Sequence, residues 1–145
     1  MVEDLIAYGQ DGDIAVLDIA GRDQSRGRAL TVALCSALEA ALHTALQDEQ
    51  VHAVVIMGIS HGFDLSTAGV QVADLSSTPS PVSRQFAMLA DVIEAAQKPV
   101  IAALQGPLRN EAIDLALCAH GRVAQAGASI TFSNLHLGLI PGGGA

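Results

Sequence analysis

A short apolar run, a glycine-proline turn and a helical run follow one another directly in the last third of this chain. The apolar run covers Val100 to Leu104, and Gly106 with Pro107 marks the turn. The helical run covers Glu111 to Cys118, and another apolar run, Ile130 to Phe132, precedes a Gly-Pro-Gly-rich end. This order predicts strand, turn, helix, strand and loop.

The earlier part of the chain predicts the same kinds of elements. Leucine and alanine recur at helical spacing from Thr31 to Gln47, and the β-rich run Ala53 to Met57 follows. A second helix is predicted from Val82 to Gln97, and Lys98-Pro99 ends it because proline disfavours a helical residue before it. Strands are also predicted at Leu5–Tyr8, Ile14–Ile19 (around a turn at 10–13) and Val123, and loops at Gly58–Gly69 and Ser76–Ser80. A strand-helix-strand order favours parallel strands, so the sequence predicts an α/β layer structure.

Size and charge restrict the kind of protein that this chain can be. At 145 residues, of which 50% are hydrophobic, it is expected to form a single domain over residues 1–145. The net charge of −8 argues against nucleic acid and anionic membranes as main partners. The N-terminus has acidic residues where a signal peptide needs basic ones, and no apolar run approaches the length of a membrane span. A soluble cytoplasmic protein is therefore expected.

The cysteines and histidines do not have the spacing of a metal site. Cys35 and Cys118 lie far apart in sequence, without a CxxC motif, and are predicted to be buried thiols. His61 and His120 are not spaced as ligands, and Cys118 with His120 is an isolated pair. No metal site is predicted.

Four segments together resemble the crotonase family, the enoyl-CoA hydratase/isomerase superfamily. The strongest matches are KPVIAA at 98–103 and LGLIPGGG at 137–144, and RALTVALCSALEAAL at 28–42 and VHAVVIMG at 51–58 are similar to the family's first helix and a following strand. The resemblance implies a β-β-α spiral core. It also implies a truncated chain or a reduced member, since family members usually continue into a C-terminal helical region where this chain ends.

The resemblance implies chemistry on an acyl-CoA thioester, as in fatty acid metabolism. The family stabilises a thioester enolate with two backbone N–H groups that form an oxyanion hole, and preorganised donors of this kind can be worth several kcal/mol in the transition state. The coenzyme A thioester is then the substrate or ligand, and no separate cofactor is expected. The family's oligomers imply a homotrimer or a dimer of trimers.

The two oxyanion donors can be located on this chain by its spacing from the family motifs. An ungapped count from Gly58 places Thr67 at the first donor position, whereas an insertion would use Val70 instead. Glu111 takes the second donor position, at the turn that opens the third helix. The residues expected to contact the substrate are Phe63, Ser66, Gly69, Pro141 and Gly142.

The catalytic positions depart from the family's pair of glutamates. Asp114 falls at the first of the two and keeps the carboxylate, but it is shorter by one methylene, roughly 1.5 Å. Asn134 falls at the second, and an amide cannot exchange a proton at neutral pH. His136 lies two residues further on and is an alternative acid or base. Efficient water addition is therefore not expected from these residues.

Two hypotheses about function follow from these positions. The first is an enzyme, a lyase or isomerase, that acts on acyl-CoA thioesters. The second is a non-catalytic crotonase-like protein that binds acyl-CoA or serves as an assembly subunit. The residues at positions 111 and 134 favour the second, although the family also includes members that catalyse isomerisation, thioester hydrolysis and decarboxylation.

Overall fold

The computed structural model describes residues 5–19, 31–59, 81–109 and 111–132. Within these ranges the helices are α1 (Val32–Gln47), α2 (Pro81–Glu94) and α3 (Glu111–Cys118). The strands are β1 (Ala7–Asp11), β2 (Ile14–Asp18), β3 (Ala53–Ile59), β4 (Val100–Leu104), β5 (Pro107–Arg109), β6 (Gly121–Ala124) and β7 (Ser129–Thr131). The bounds of β4 and α3 are those predicted from the sequence.

The described strands form a five-stranded sheet in the order β1-β2-β3-β4-β6 and a two-stranded sheet of β5 and β7. β1 and β2 are antiparallel, and every other pair is parallel. Parallel strands need a crossover connection, and α1, α2 and α3 lie in the crossovers that lead to β3, β4 and β6. The predicted α/β layer structure with parallel strands is confirmed.

The N-terminal hairpin is tighter than the sequence suggested. β1 extends to Asp11, which pairs with Ile14, so the connection is only two residues long. Gly12 has a φ of 60°, which a glycine adopts without strain. The prediction of a strand at Leu5–Tyr8 was wrong by two residues at its start and three at its end. The end was placed too early because the polar residues Gln10 and Asp11 were assigned to the turn.

The turn of this hairpin is attached to the start of β3. The carbonyl of Asp13 accepts a hydrogen bond from the backbone N–H of His52 at 2.7 Å. The two side chains also meet, with His52 Nδ1 3.0 Å from Asp13 Oδ2. The side-chain hydrogen bond from His52 holds the pKa of Asp13 below its usual range. These contacts fix the register at which β2 enters the sheet beside β3.

The core lies between one face of the sheet and the helices α1 and α2. β2, β3 and β4 alternate buried and partly buried residues, which is the period of two expected of strands. From α1 the core receives Leu34, Leu38 and Leu42, and from α2 Phe86, Leu89 and Ile93. Three further residues of these segments, Ala41, Leu46 and Ala96, are partly buried at the edge of the core.

α2 ends three residues earlier than predicted. The last helical residue is Glu94, and the N–H of Ala96 bonds to the carbonyl of Ile93, a tighter turn than the α-helical one. The helix was predicted to reach Gln97 because the helical spacing of apolar residues continues to Ala96, which still packs on the core. The chain has to leave the helix before Pro99 so that it can enter β4.

Cations from distant positions bind the carbonyl ends of two helices. Neither α1 nor α3 has a basic residue in its last turn. Instead, Lys98 Nζ donates to the carbonyls of Ala45 at 3.2 Å and Asp48 at 2.7 Å. Arg122 Nη1 donates to the carbonyl of Ala119 at 3.0 Å. A positive charge is favourable at a helix C-terminus, so these contacts tie α1 to β4 and α3 to β6.

His120 joins the end of α3 to the start of β4. The backbone N–H of His120 donates to the carbonyl of Val100 at 2.9 Å, and the N–H of Val100 donates to His120 Nδ1 at 3.0 Å. Because Nδ1 accepts here, the ring proton of the neutral imidazole is on Nε2. The imidazole thus takes the place of a backbone acceptor at the first residue of β4.

Replacing His120 tests this contact. His120→Phe leaves the Val100 N–H without its acceptor, and we expect the free energy of unfolding in urea to fall by about 1–2 kcal/mol. His120→Asn keeps an acceptor oxygen close to the position of Nδ1, so it should lose less than half of that. Equal losses in the two variants would show that the ring, and not the acceptor, stabilises the fold.

Candidate functional site

Two glycines with positive φ lie at the carboxyl ends of the central strands. Gly58 has a φ of 80° and lies where the pairing of β3 with β4 shifts register, between Ile56 and Ile59. Gly106 has a φ of 83° and lies two residues after the end of β4 at Leu104. Any other residue at either position would be strained, because its Cβ atom would clash with the backbone in this left-handed conformation. Since Ile59 pairs with Leu104, both glycines lie at one edge of the sheet.

β5 determines where the third helix begins. After Gly106 the chain forms the three-residue strand β5, which pairs in parallel with β7 and buries Leu108. The sequence prediction treated these residues as a turn. It missed the strand because the segment is short, begins with Pro107 and pairs with residues 22 positions further on, such as Ser129. The pairing holds the chain just before α3 starts at Glu111.

The start of α3 offers backbone donors at this edge of the sheet. The first N–H groups of an α-helix have no partner within the helix and carry the positive end of its dipole. Glu111 is the first helical residue, which agrees with its predicted position at the turn that opens the helix. The first backbone N–H groups of α3 can therefore donate hydrogen bonds to a ligand oxygen on which negative charge develops.

Asp114 is the buried acid of this helix. It is 5% exposed and is the only charged side chain buried among the described residues. Its neighbours on α3, Ala112, Ile113, Leu115 and Ala116, are buried apolar residues. Asp114 lies three positions after Glu111, so the two residues are neighbours on the helix surface. A carboxylate is costly to bury, and ionisable groups in such places are enriched at functional sites.

Cys118 lies one helical turn beyond Asp114 and does not act as a nucleophile at neutral pH. Burial raises the pKa of its thiol to about 11, and the negative charges of Glu94 and Asp114 add to the effect. Burial likewise raises the pKa of Cys35 to about 11. Both cysteines are free and buried, as predicted. The reactive form is the thiolate, so these two thiols stay inert.

Of the predicted site residues, the structure places Glu111 and Asp114, and it places them on one helix, one turn apart. The other predicted residues lie outside the described ranges: Phe63, Ser66, Thr67, Gly69, Val70, Asn134, His136, Pro141 and Gly142. The sequence reasoning missed β5 and the positive φ of Gly106. The Gly-Pro pair was the available signal, since glycine before a short strand often marks a special backbone angle.

A separate groove lies at the opposite edge of the sheet. It has a volume of about 440 Å³ and lies between the C-terminal ends of α1 and α2. Its lining is mostly apolar and includes Leu46, Val92, Ala95 and Lys98. Since Lys98 precedes β4 at its amino end and already binds α1 carbonyls, this groove is distinct from the α3 site.

The described ranges contain neither a membrane-crossing helix nor a metal cluster. None of their helices has the length and apolarity that crossing a membrane would require. Nor do these ranges bring together three or more His, Cys, Asp or Glu side chains that could hold a metal ion. His120 instead has the structural role described above.

Comparison with known proteins identifies the family. The enoyl-CoA hydratase/isomerase family model matches residues 12–145. The glyoxysomal fatty acid beta-oxidation multifunctional protein MFP-a of Cucumis sativus is 33% identical over 104 residues, which is 69% of this chain and 14% of that protein. A probable enoyl-CoA hydratase of Mycobacterium tuberculosis is 32% identical over 149 residues, covering 98% of this chain and 55% of its own length.

Solved structures have the same fold. Enoyl-CoA hydratase subunit I from Geobacillus kaustophilus matches with a TM-score of 0.73 and 25% identity, over 97% of this chain and 53% of that one. Enoyl-CoA hydratase from Bacillus anthracis matches with a TM-score of 0.79 and 22% identity, over 97% and 55%. The chain thus spans about half the length of these structures and a seventh of the cucumber protein. The predicted crotonase-like fold is confirmed, and the chain belongs to the enoyl-CoA hydratase/isomerase family.

Proposed function

We propose that this chain binds an acyl-CoA thioester with the thioester oxygen in front of the N-terminus of α3. The observation that carries the proposal is the buried carboxylate of Asp114, one turn from the helix start at Glu111. The Glu111 N–H is the proposed second oxyanion donor, and Thr67 or Val70 supplies the first. Phe63, Ser66, Gly69, Pro141 and Gly142 contact the substrate in this proposal.

The proposed reaction is proton transfer at the carbon next to the thioester carbonyl. Removing that proton leaves an electron pair that delocalises onto the thioester oxygen, and two N–H donors there stabilise the enolate. Asp114 accepts the proton and returns it to the substrate. One carboxylate suffices for this exchange. When the acyl chain has a double bond between its β and γ carbons, returning the proton to the γ carbon moves that double bond to the α and β carbons, which is isomerisation.

Water addition has a further requirement that these residues do not meet. It needs one group to activate water and one to protonate the carbon, and Asn134 can do neither. Isomerisation is therefore favoured over hydration. Asn134 also favours a second candidate function, in which the chain binds acyl-CoA without catalysis or serves as an assembly subunit.

Asp114→Asn separates the catalytic function from the binding-only function. The amide has nearly the same shape but cannot accept the proton, so exchange of the substrate's α-proton in D₂O, followed by NMR, should slow by about 10²–10⁴-fold. Affinity for short, medium and long acyl-CoAs, measured by calorimetry, should change little.

Each alternative outcome has a defined meaning. If the wild-type protein binds acyl-CoA but does not speed the exchange, the binding-only function is correct. If no acyl-CoA gives heat or a thermal shift, acyl-CoA is not the ligand. Asp114→Glu serves as the matched control, since it keeps the carboxylate and changes only its reach.

Asn134→Glu tests the second acid/base position. Hydration of an enoyl-CoA should be slow in the wild type and faster in this variant, and faster still when it is combined with Asp114→Glu. The loss of absorbance of the conjugated enoyl thioester measures the rate. A wild-type rate equal to that of an ordinary hydratase would contradict the proposal and point to His136 as the substitute.

Self-association stays a prediction, as does the cytoplasmic location. Several large apolar side chains are exposed around α3, β6 and β7: Leu117, Val123, Ile130 and Phe132. Exposed apolar surface often marks an interface, which supports self-association, and the trimer or dimer of trimers is what the family resemblance implies. Light scattering at micromolar concentration should give a mass of at least three chains, and a stable monomer would refute this.

A further inference from the structure

Arg109 is an exposed cation two residues before the start of α3. It is the last residue of β5, and its side chain is exposed, whereas that of its neighbour Leu108 is buried. It lies two residues before Glu111, the first residue of α3. The pairing of Arg109 with Thr131 of β7 fixes the backbone from which the guanidinium extends.

The guanidinium of Arg109 does not bind any other described residue. Two other cations do bind the described part of the fold. Lys98 and Arg122 donate to carbonyls at the ends of α1 and α3. Within the described ranges no carbonyl or carboxylate accepts a hydrogen bond from Arg109 or pairs with it. Its five donors are therefore available to a ligand.

The charge around this residue makes an anionic ligand group the natural partner. The chain carries a net charge of −8, so its overall field repels anions. The N-terminal end of the α3 dipole and the guanidinium of Arg109 are positive, whereas Glu111 at the first helical position is acidic. Arg109 is therefore the charged side chain of positions 109–111 that can pair with an anionic ligand group. A planar guanidinium matches a carboxylate with two parallel hydrogen bonds.

The reach of Arg109 favours a group close to the thioester. A chain advances at most about 3.3–3.6 Å per residue, so the Cα atoms of Arg109 and Glu111 can be no more than roughly 7 Å apart. A carboxylate at the end of a short acyl chain lies only a few bonds from the thioester carbonyl. The phosphates of coenzyme A lie at the far end of the long pantetheine arm, so the acyl end is the better match.

We propose that Arg109 binds a second carboxylate on the acyl group, so that the site prefers thioesters of short dicarboxylic acids. This inference rests on the proposed function, since it needs the thioester at the N-terminus of α3. Arg109 is then the residue that determines specificity, and Asp114 remains the residue that transfers the proton.

The test compares two ligands that differ only at the end of the acyl chain. Glutaryl-CoA ends in a carboxylate and pentanoyl-CoA ends in a methyl group, and calorimetry measures their affinities for the intact chain. The wild type should bind glutaryl-CoA about tenfold more tightly, the ratio expected of one charge-assisted hydrogen-bonded pair. Arg109→Gln should abolish that preference by weakening glutaryl-CoA alone, and Arg109→Lys should keep part of it.

Arg84→Gln is the matched control for net charge. Arg84 is an exposed arginine on α2, and its replacement removes the same charge from the chain. The preference for glutaryl-CoA should survive this change. An equal loss in Arg84→Gln and Arg109→Gln would overturn the inference, because the effect would then be one of overall charge.

The remaining outcomes separate this inference from the proposed function. If Arg109→Gln weakens both ligands equally, the guanidinium binds a carrier phosphate and the inference is wrong. If the wild type binds both ligands with equal affinity, the inference is wrong while the proposed function stands. If the wild type binds neither ligand, both are wrong. Thermal melting confirms that each variant is folded, as expected for an exposed side chain.

Discussion

The parallel pairing of β2, β3, β4 and β6 determines where the helices of the described part of the chain lie, and the pair of β3 with β4 is at its centre. Val54 pairs with Val100 and Ile56 with Ala102, and all four side chains are buried. Parallel neighbours cannot be joined by a tight turn, so the chain has to cross over outside the sheet. α1 and α2 lie in such crossovers and cover the buried face, and α3 follows from the end of β4.

The same pairing brings the candidate site together. Parallel strands have their carboxyl ends at one edge, and β3 and β4 end there with the positive-φ residues Gly58 and Gly106. β5 then connects the end of β4 to the start of α3. A helix N-terminus, a buried carboxylate at Asp114 and the exposed Arg109 thus lie within six residues of each other in sequence. The described part of the site is compact because one short strand and one helical turn contain it.

Local sequence pattern predicted the elements whose residues interact mainly with their own neighbours. The bounds of α3 and β4 follow from their apolar patterns. Thr31 was expected at the start of α1, and its hydroxyl oxygen there accepts a hydrogen bond from the N–H of Leu34 at 3.1 Å. The resemblance to the family motifs located Glu111 and Asp114 by spacing alone. The burial of Asp114 was not predicted, because burial depends on what the other elements place around a helix.

Contacts between distant residues explain the predictions that failed or were never made. β5 forms only because Leu108 and Ile130 come together, and a three-residue strand has too few residues to show a period of two. The sequence offered no structural role for Lys98 or His120, since each binds backbone atoms at least 20 residues away. The sequence by itself determined the order and kind of the elements other than β5, and the types of residue at the family positions. Only the tertiary structure decided which carboxylate is buried, where α3 begins in space and which cations are already bound, because these depend on pairing between segments that no local pattern encodes.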